Sequence, residues 1–196
     1  MKDIRPWVQQ TIKERLPQSG IGVDFTMGNG NDTLYMASLM DSGHIYAFDV
    51  QQQACDKTLA LLTAHNLQDK VTLILDSHSN IDKYLEDKMI DVGVFNLGYL
   101  PGSDKKVTTL FETTKEAFDK ALVRLNIGGV IILVIYPGHD EGAREAKLLQ
   151  EYCSGLDAGI YNVLLYQFLN KNNPPRIIAV ERYKTIINKK IMLKSE

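Results

Sequence analysis

The chain has 196 residues, 44% of them hydrophobic and 23% charged, with a formal net charge of −2. That length can bury one full core and is short for two ordinary domains. The balance excludes a disordered polyelectrolyte and a globally basic nucleic-acid binder, so any RNA contact has to come from a local patch. Cys55 and Cys153 have no metal-ligand spacing and read as buried free thiols. Met1 to Trp7 lacks a signal-peptide core, and no apolar run reaches the length of a membrane span, so a cytoplasmic protein is expected.

Taken in chain order, residues 3–18 carry Ile4, Val8 and Ile12 at i, i+4, i+8, the pattern of a leading amphipathic helix. An apolar strand over 21–26 runs into Gly28-Asn29-Gly30, and a helix follows from about Leu34 to Leu39 that Asp32 or Thr33 can cap. A strand over 44–49 precedes a helix between Gln52 and His65 whose face is Cys55, Leu59 and Leu62. Strands over 71–76 and 91–96 come next, then a helix near 113–126 using Phe118, Ala121, Leu122 and Leu125, stopped by Gly128-Gly129. Residues 130–136 are apolar throughout, and a helix over roughly 141–156 follows. Continuous apolar strands joined by helices predict a parallel sheet covered on both faces. Tyr161–Leu169 and Arg176–Tyr183 are two more strands joined by only six residues, too short a link for a crossover, so this pair is expected to be antiparallel. There is no repeat or linker: residues 1–183 read as one α/β domain with an N-terminal helix. The basic tail 184–196 reads as a frayed terminus, or as an RNA-facing or dimer-facing segment that leaves a homodimer open.

The glycine turn carries the chemistry. Glycine lets a ligand approach the backbone closely, and Asp49 ends the second strand 19 residues after Gly30, where a carboxylate can take both hydroxyls of a ribose. The dinucleotide fingerprint needs a third glycine, and here the pattern from Gly28 is Gly-Asn-Gly-Asn-Asp-Thr. Asp32 also stands where a pyrophosphate would meet the helix dipole, a repulsive contact. A cationic nucleoside suits such a turn better. S-adenosylmethionine, with its sulfonium and ammonium, is therefore the expected cofactor, ahead of NAD and of a turn that serves packing alone. Five parallel strands with a terminal antiparallel hairpin accordingly fit the mostly parallel, seven-stranded Rossmann-like sheet of class I S-adenosylmethionine-dependent methyltransferases better than a dehydrogenase sheet.

Asp24-Phe-Thr-Met-Gly-Asn-Gly-Asn-Asp-Thr33, Phe48-Asp-Val-Gln51, Leu75-Asp-Ser-His78, Phe95-Asn-Leu-Gly-Tyr-Leu-Pro-Gly102 and Asn172-Asn-Pro-Pro175 occur in this order. In these blocks the chain resembles a small bacterial family first described as rRNA methylases. Its characterised members methylate the aminomethyl group of 5-aminomethyl-2-thiouridine at the tRNA wobble position. The resemblance runs from about residue 5 to 183. It implies the same fold, S-adenosylmethionine as cofactor, no metal, and tRNA as substrate. The chain departs from the family at Met27-Gly-Asn-Gly-Asn-Asp32, where Cys-Gly-Asn-Gly-His-Asp is usual, and at Tyr136-Pro-Gly-His139, where Tyr-His-Gly-His is usual. No catalytic role carries over to Pro137.

Around the cofactor the expected contacts are Asp24, Gly28, Asn29, Asn31, Asp49, Gln51 and Asn96, with Asp76, Ser77 or His78 accepting from the adenine amino group. Asn29 and Asn31 also suit left-handed turn geometry, and the Asp76 to His78 stretch also suits a helix cap. Asn96-Leu-Gly-Tyr99 is shaped like the Asn-Pro-Pro-Tyr motif of amino-group methyltransferases, in which the Asn oxygen accepts from the amine and the aromatic ring stacks on the base. Asn96, Tyr99 and His139 are thus the candidate catalytic residues, His139 as the proton acceptor or as loop structure. Tyr99 and Tyr136 are candidate stacking residues. Asn172, Asn173 and Arg176 are candidate substrate contacts, the Asn pair being a tight hairpin link or a substrate lip. Lys105, Lys106, Lys171 and Arg176 are expected to supply phosphate contacts to an anticodon stem-loop. A non-catalytic nucleotide-binding or RNA-binding module, and a methyltransferase of rRNA or of small molecules, remain as alternative readings.

Overall fold

The computed structural model describes residues 3–98, 109–137 and 140–185. Its elements are α1 (Arg5–Arg15), β1 (Ile21–Asp24), α2 (Asn31–Leu39), β2 (His44–Asp49), α3 (Gln52–Ala64), β3 (Val71–Leu75), α4 (Asp82–Leu85), β4 (Ile90–Leu97), α5 (Phe111–Arg124), β5 (Leu125–Ile135), α6 (Asp140–Ser154), β6 (Tyr161–Gln167) and β7 (Arg176–Arg182). The strands form a seven-stranded sheet in the order β3-β2-β1-β4-β5-β7-β6. Pairing is parallel from β3 through β5, and β7 is antiparallel to both β5 and β6. The chain builds outward from β1 to β3 and then returns to place β4 on the other side of β1. This reversal opens a crevice beyond the carboxyl ends of β1 and β4, where open α/β sheets bind ligands.

Alternation along the strands assigns each side chain to a layer. On β4, Val92 and Val94 pack with Ile4, just before α1, and with Val8, Ile12, Met36 and Ala37 of α1 and α2, while Phe95 and Leu97 pack with Leu85, Phe118, Ala121 and Leu149 of α4, α5 and α6. On β5, Val130, Ile132 and Val134 face the α1 layer, and Ile131, Leu133 and Ile135 face the α5 layer. Both layers are therefore continuous cores, as the unbroken apolar strands require. Phe25 and Phe95 stack at 4.0 Å between ring centroids directly under the crevice, giving its floor a rigid apolar base.

Several expected boundaries shift for identifiable reasons. Helix α2 begins at Asn31 with no side-chain cap, because Gly30 (φ 80°) turns the chain by itself while Thr33 and Asp32 bond elsewhere. Leu59 of α3 is 49% exposed, and the inward stripe is Ala54, Cys55, Thr58 and Leu62. The helix is rotated so that the short Thr58, rather than a leucine, meets the glycine turn. Helix α5 stops at Arg124, before Gly128-Gly129: Leu125 is already extended and pairs with Ile90. Gly128 instead adopts φ 83° within an irregular first stretch of β5, and Gly129 lies against β4, where a Cβ would stand 2.9 Å from the Asp91 carbonyl oxygen. The terminal hairpin is antiparallel as expected, with Gln167 opposite Arg176.

Candidate functional site

Two glycines with positive φ, Gly28 (52°) and Gly30 (80°), form the turn leaving β1. At Gly30 an added Cβ would lie 2.8 Å from Thr58 Oγ1, so the turn and α3 are in contact as closely as glycine permits. Asp49, at the end of β2, is fixed from two sides: Oδ2 accepts from Gly28 N at 3.0 Å and Oδ1 from Gln51 N at 3.0 Å. A carboxylate oriented by two backbone N–H groups still has lone pairs for two ligand hydroxyls. Gln51 is the residue before α3 and its Oε1 accepts from Gln53 Nε2. Asn29 is half-buried in the turn, and Asn31 is exposed at the start of α2.

Asp24 sits beneath the turn rather than on its open side. It is 1% exposed, accepts from Thr33 Oγ1 at 2.7 Å and Thr26 N at 3.1 Å, and so ties β1 to the first turn of α2. Burial, with the negative charge of Asp32 nearby, pushes its carboxyl up to about 7.

Beyond β3, Asp76 accepts from Asn80 Nδ2 (2.8 Å), Tyr84 Oη (2.9 Å) and Ser77 N (2.7 Å), and the Asn80 bond above all holds it below the usual carboxylate range. Ser77 caps the short turn that follows. The His78 ring lies against Phe95 with Nδ1 2.9 Å from the Phe25 carbonyl oxygen. Nδ1 therefore carries a proton and donates, leaving Nε2 a buried acceptor without a partner among the described residues. Burial pushes the His78 pKa down, which keeps the ring neutral.

The other wall of the crevice is the end of β4. Asn96 has the same parity as Val92 and Val94, so its side chain emerges on the α1/α2 face. Its backbone N donates to Thr26 Oγ1 and its Nδ2 to Asp32 Oδ2, both at 2.7 Å. Gly98 adopts φ 144°, and a Cβ added there would meet no atom of the described residues within 4 Å. Gly98 and Thr109 clasp each other through Gly98 N to Thr109 Oγ1 and Thr109 N to Gly98 O, both 3.0 Å. Thr109 and Thr114 in turn donate to the buried Glu145 of α6, at 2.9 and 3.0 Å. The base of the segment after Asn96 is thus tied to α5 and α6. Tyr99, Lys105, Lys106 and His139 lie outside the described residues.

Tyr136 follows β5 on the same face as Asn96, 41% exposed, its hydroxyl pKa raised by burial and by the Asp32 charge. Asn172 and Asn173 are exposed in the link between β6 and β7, Asn173 at φ 43°. Arg176 stands opposite Ile135 at the same sheet edge, but it points to the other face, where Nη1 donates to Gln150 Oε1 of α6 at 3.0 Å. The structure therefore joins Asp49, the glycine turn, Asn96 and Tyr136, and separates Arg176 from them by the thickness of the sheet. Sequence reasoning missed Thr26, Thr109 and Glu145, and it read Asp32 as a cap or as a charge at the turn but not as the partner of Asn96. The signal available for Asp32 was its place in the first turn after a glycine cap; for the others there was none.

Among the described residues no cluster of His, Cys, Asp and Glu could hold a metal ion, and no helix is long and apolar enough to cross a membrane. The groups brought to the crevice, the Asp49 and Asp76 carboxylates and the Asn96 carbonyl oxygen, are acceptors, while the Asp32 carboxylate is engaged by Asn96 Nδ2. That set fits a cationic ligand carrying ribose hydroxyls and an amino group, and it would repel a pyrophosphate.

Comparison with known proteins agrees with this geometry. Residues 45–181 match the model of the family described as "Putative rRNA methylase". A chloroplastic tRNA (mnm(5)s(2)U34)-methyltransferase of Arabidopsis thaliana is 35% identical over 182 residues, covering 87% of this chain; the chain spans 66% of that protein's length. A solved "putative rRNA-methylase" from Clostridium thermocellum superposes with a TM-score of 0.90 at 40% identity, covering 93% of this chain and 98% of that one. A structure described as "a putative methyltransferase" from Streptococcus mutans in complex with SAH gives 0.85 at 38% identity, covering 93% and 99%. With the match spanning most of the sheet, from β2 to β7, the chain belongs to the rRNA methylase family.

Proposed function

We propose that this chain methylates the aminomethyl nitrogen of 5-aminomethyl-2-thiouridine at the wobble position of tRNA. The chain is an S-adenosylmethionine-dependent methyltransferase, and that cofactor supplies an electrophilic methyl group. The observation that carries the reading is the union of two half-sites: Asn96, the amine-orienting residue, bonds through its backbone to Thr26 and through its side chain to Asp32, both flanking the glycine turn that Asp49 braces.

Asp49 holds the ribose hydroxyls, the Gly28–Gly30 backbone admits the cofactor closely, and Asp76, Ser77 or His78 accepts from the adenine amino group. Asn96 Oδ1 accepts a hydrogen bond from the substrate amine and aims its lone pair. As the N–C bond forms the S–C bond breaks, S-adenosylhomocysteine leaves, and the amine gives up a proton. An alkylamine is mostly protonated near neutral pH, so a proton acceptor is needed, and we assign that role to His139. Positioning supplies much of the rate in such a displacement. Tyr99 and Tyr136 flank the base, Asn172 and Asn173 form a lip at the same edge, and Lys105, Lys106 and Lys171 contact phosphates; Arg176, held by Gln150 on the opposite face of the sheet, takes no part. The Arabidopsis relative, named for methylation at this tRNA position, supports the substrate.

The test is nucleoside mass spectrometry of tRNA from a strain lacking the gene. Accumulated 5-aminomethyl-2-thiouridine that disappears on complementation is the expected result, and unchanged tRNA would reject the assignment. Ribosomal RNA is the second reading, favoured by the family description and by a match of 34% identity over 76 residues to a ribosomal RNA small subunit methyltransferase H of Streptococcus equi. It would show as a methyl group missing from rRNA of the same strain.

A further inference from the structure

The two ends of the Asn96 carboxamide are nearly alike in shape and opposite in function: Oδ1 only accepts and Nδ2 only donates. Which end faces the crevice is settled by what lies on the other side. That neighbour is Asp32, whose carboxylate oxygen stands 2.7 Å from the amide nitrogen. An ionised carboxylate has no proton to give, so it tolerates the amide in one orientation, with Nδ2 toward α2 and Oδ1 turned away from it. The flipped amide would set two acceptors against each other at hydrogen-bond distance, in a half-buried position. The backbone end of the same residue is pinned by Thr26 Oγ1, and Asp32 is carried on a helix whose first turn is tied down by the bond from Thr33 to buried Asp24. The lever is therefore rigid from Asp24 through α2 to Asn96, although Asp32 and Asn96 are 64 positions apart.

We propose that Asp32 is a positioning residue for methyl transfer: it locks the Asn96 carboxamide so that Oδ1, and never the NH2 group, meets the methyl-accepting amine. This rests on the reading of Asn96 given above. With the amide flipped, an N–H would point at the amine, compete for its lone pair and turn it away from the methyl group. Asp32 therefore acts on the reacting nitrogen only through Asn96, and its removal matters only while Asn96 is present.

A double-mutant cycle tests this with the full-length protein, S-adenosylmethionine and tRNA bearing 5-aminomethyl-2-thiouridine. Asp32→Asn keeps the size of the side chain but can both donate and accept, so it permits either amide orientation. It is expected to lower kcat about tenfold or more while KM for S-adenosylmethionine stays within about twofold, and to cost nothing further in an Asn96→Ala background. Losses that multiply in the double variant, or a drop explained by weaker cofactor binding, would overturn the proposal. Asn96→Ala with normal turnover is a different outcome: it removes the role of Asn96, and that of Asp32 with it. A second readout needs no catalysis. The side-chain NH2 resonance of Asn96 in the ligand-free protein should carry the proton shift of a charge-assisted hydrogen bond and lose it in Asp32→Ala. An unchanged resonance in that variant would refute the lock even if both variants were inactive.

Discussion

Replacing Asp24 with asparagine should make the protein more stable at neutral and alkaline pH, by an amount that vanishes in acid. The carboxyl is 1% exposed and burial raises it from an ordinary 3.8 to about 7. The folded state therefore binds a proton more tightly than the unfolded chain does, and stability attributable to this group is complete below 3.8 and falls as pH rises through 7. At about 1.4 kcal/mol per pH unit, the loss of stability relative to acid is roughly 4 kcal/mol at pH 8, where the folded group must ionise inside, and about half that or less at pH 5, where only the unfolded chain ionises. Asparagine imitates the protonated acid: Oδ1 can still accept from Thr26 N, and Nδ2 can donate to Thr33 Oγ1, where the carboxylate now accepts. Other groups titrate in both proteins, so the quantity to follow is the difference between Asp24→Asn and wild type, measured by urea unfolding from pH 4 to 8.5. The difference should grow by roughly 2–4 kcal/mol in favour of the variant across that range. A difference flat with pH, or one that turns against the variant as pH rises, would refute the argument that burial dominates this site.

Three further outcomes follow from the same geometry. Asp49→Ala should weaken S-adenosylmethionine binding by about 1.5–3 kcal/mol, the value of hydrogen bonds to a charged group, with the fold intact by circular dichroism; calorimetry showing unchanged affinity would remove Asp49 from the site. Gly30→Ala should destabilise the protein by roughly 1–3 kcal/mol, since it meets both the φ of 80° and the contact with Thr58, and Thr58→Ala should relieve only the second part; an unfolding midpoint equal to wild type would show that the turn can rearrange. Binding of an anticodon stem-loop should weaken steeply between 50 and 200 mM salt, on the order of tenfold or more, because a chain of net charge −2 must hold RNA through local cations. Salt-independent affinity would point to a small-molecule substrate.

The sheet was legible because its inner strands, β1, β2, β4, β5 and β7, are buried on both faces, while the edge strands β3 and β6 are largely exposed. Val130 to Ile135 has no polar residue to interrupt it, and the gap before Arg176, six residues by the sequence pattern and eight (168–175) in the structure, leaves no room for a crossover. Helix starts were less legible. Gly30 caps α2 through its own backbone, so the polar residues after it are free to make long-range bonds, and nothing local marks Thr33 as the partner of Asp24 or Asp32 as the partner of Asn96. Thr58 took the place expected for Leu59 because the contact that decides it is with a glycine from another element. Strand parity could have placed Arg176 on the α6 face, across the sheet from Asn96, since its neighbour Ile177 packs with α1 and Ile178 with α5. The glycine turn and Asp49 carried the cofactor reading on residue type and spacing alone. The bonds that turn these residues into one site cross from strand to helix, and only the folded chain brings them together.

The most direct test is reconstitution with defined RNA. Purified protein, S-adenosylmethionine labelled in its methyl group, and tRNA whose wobble nucleoside is 5-aminomethyl-2-thiouridine are incubated, digested and read by mass spectrometry. One labelled methyl on the aminomethyl nitrogen is expected, with tRNA lacking the aminomethyl group left unlabelled and Asn96→Ala nearly inactive at saturating cofactor. Label in both tRNAs, or in neither while rRNA is methylated, would contradict the assignment of this chain to the wobble amine.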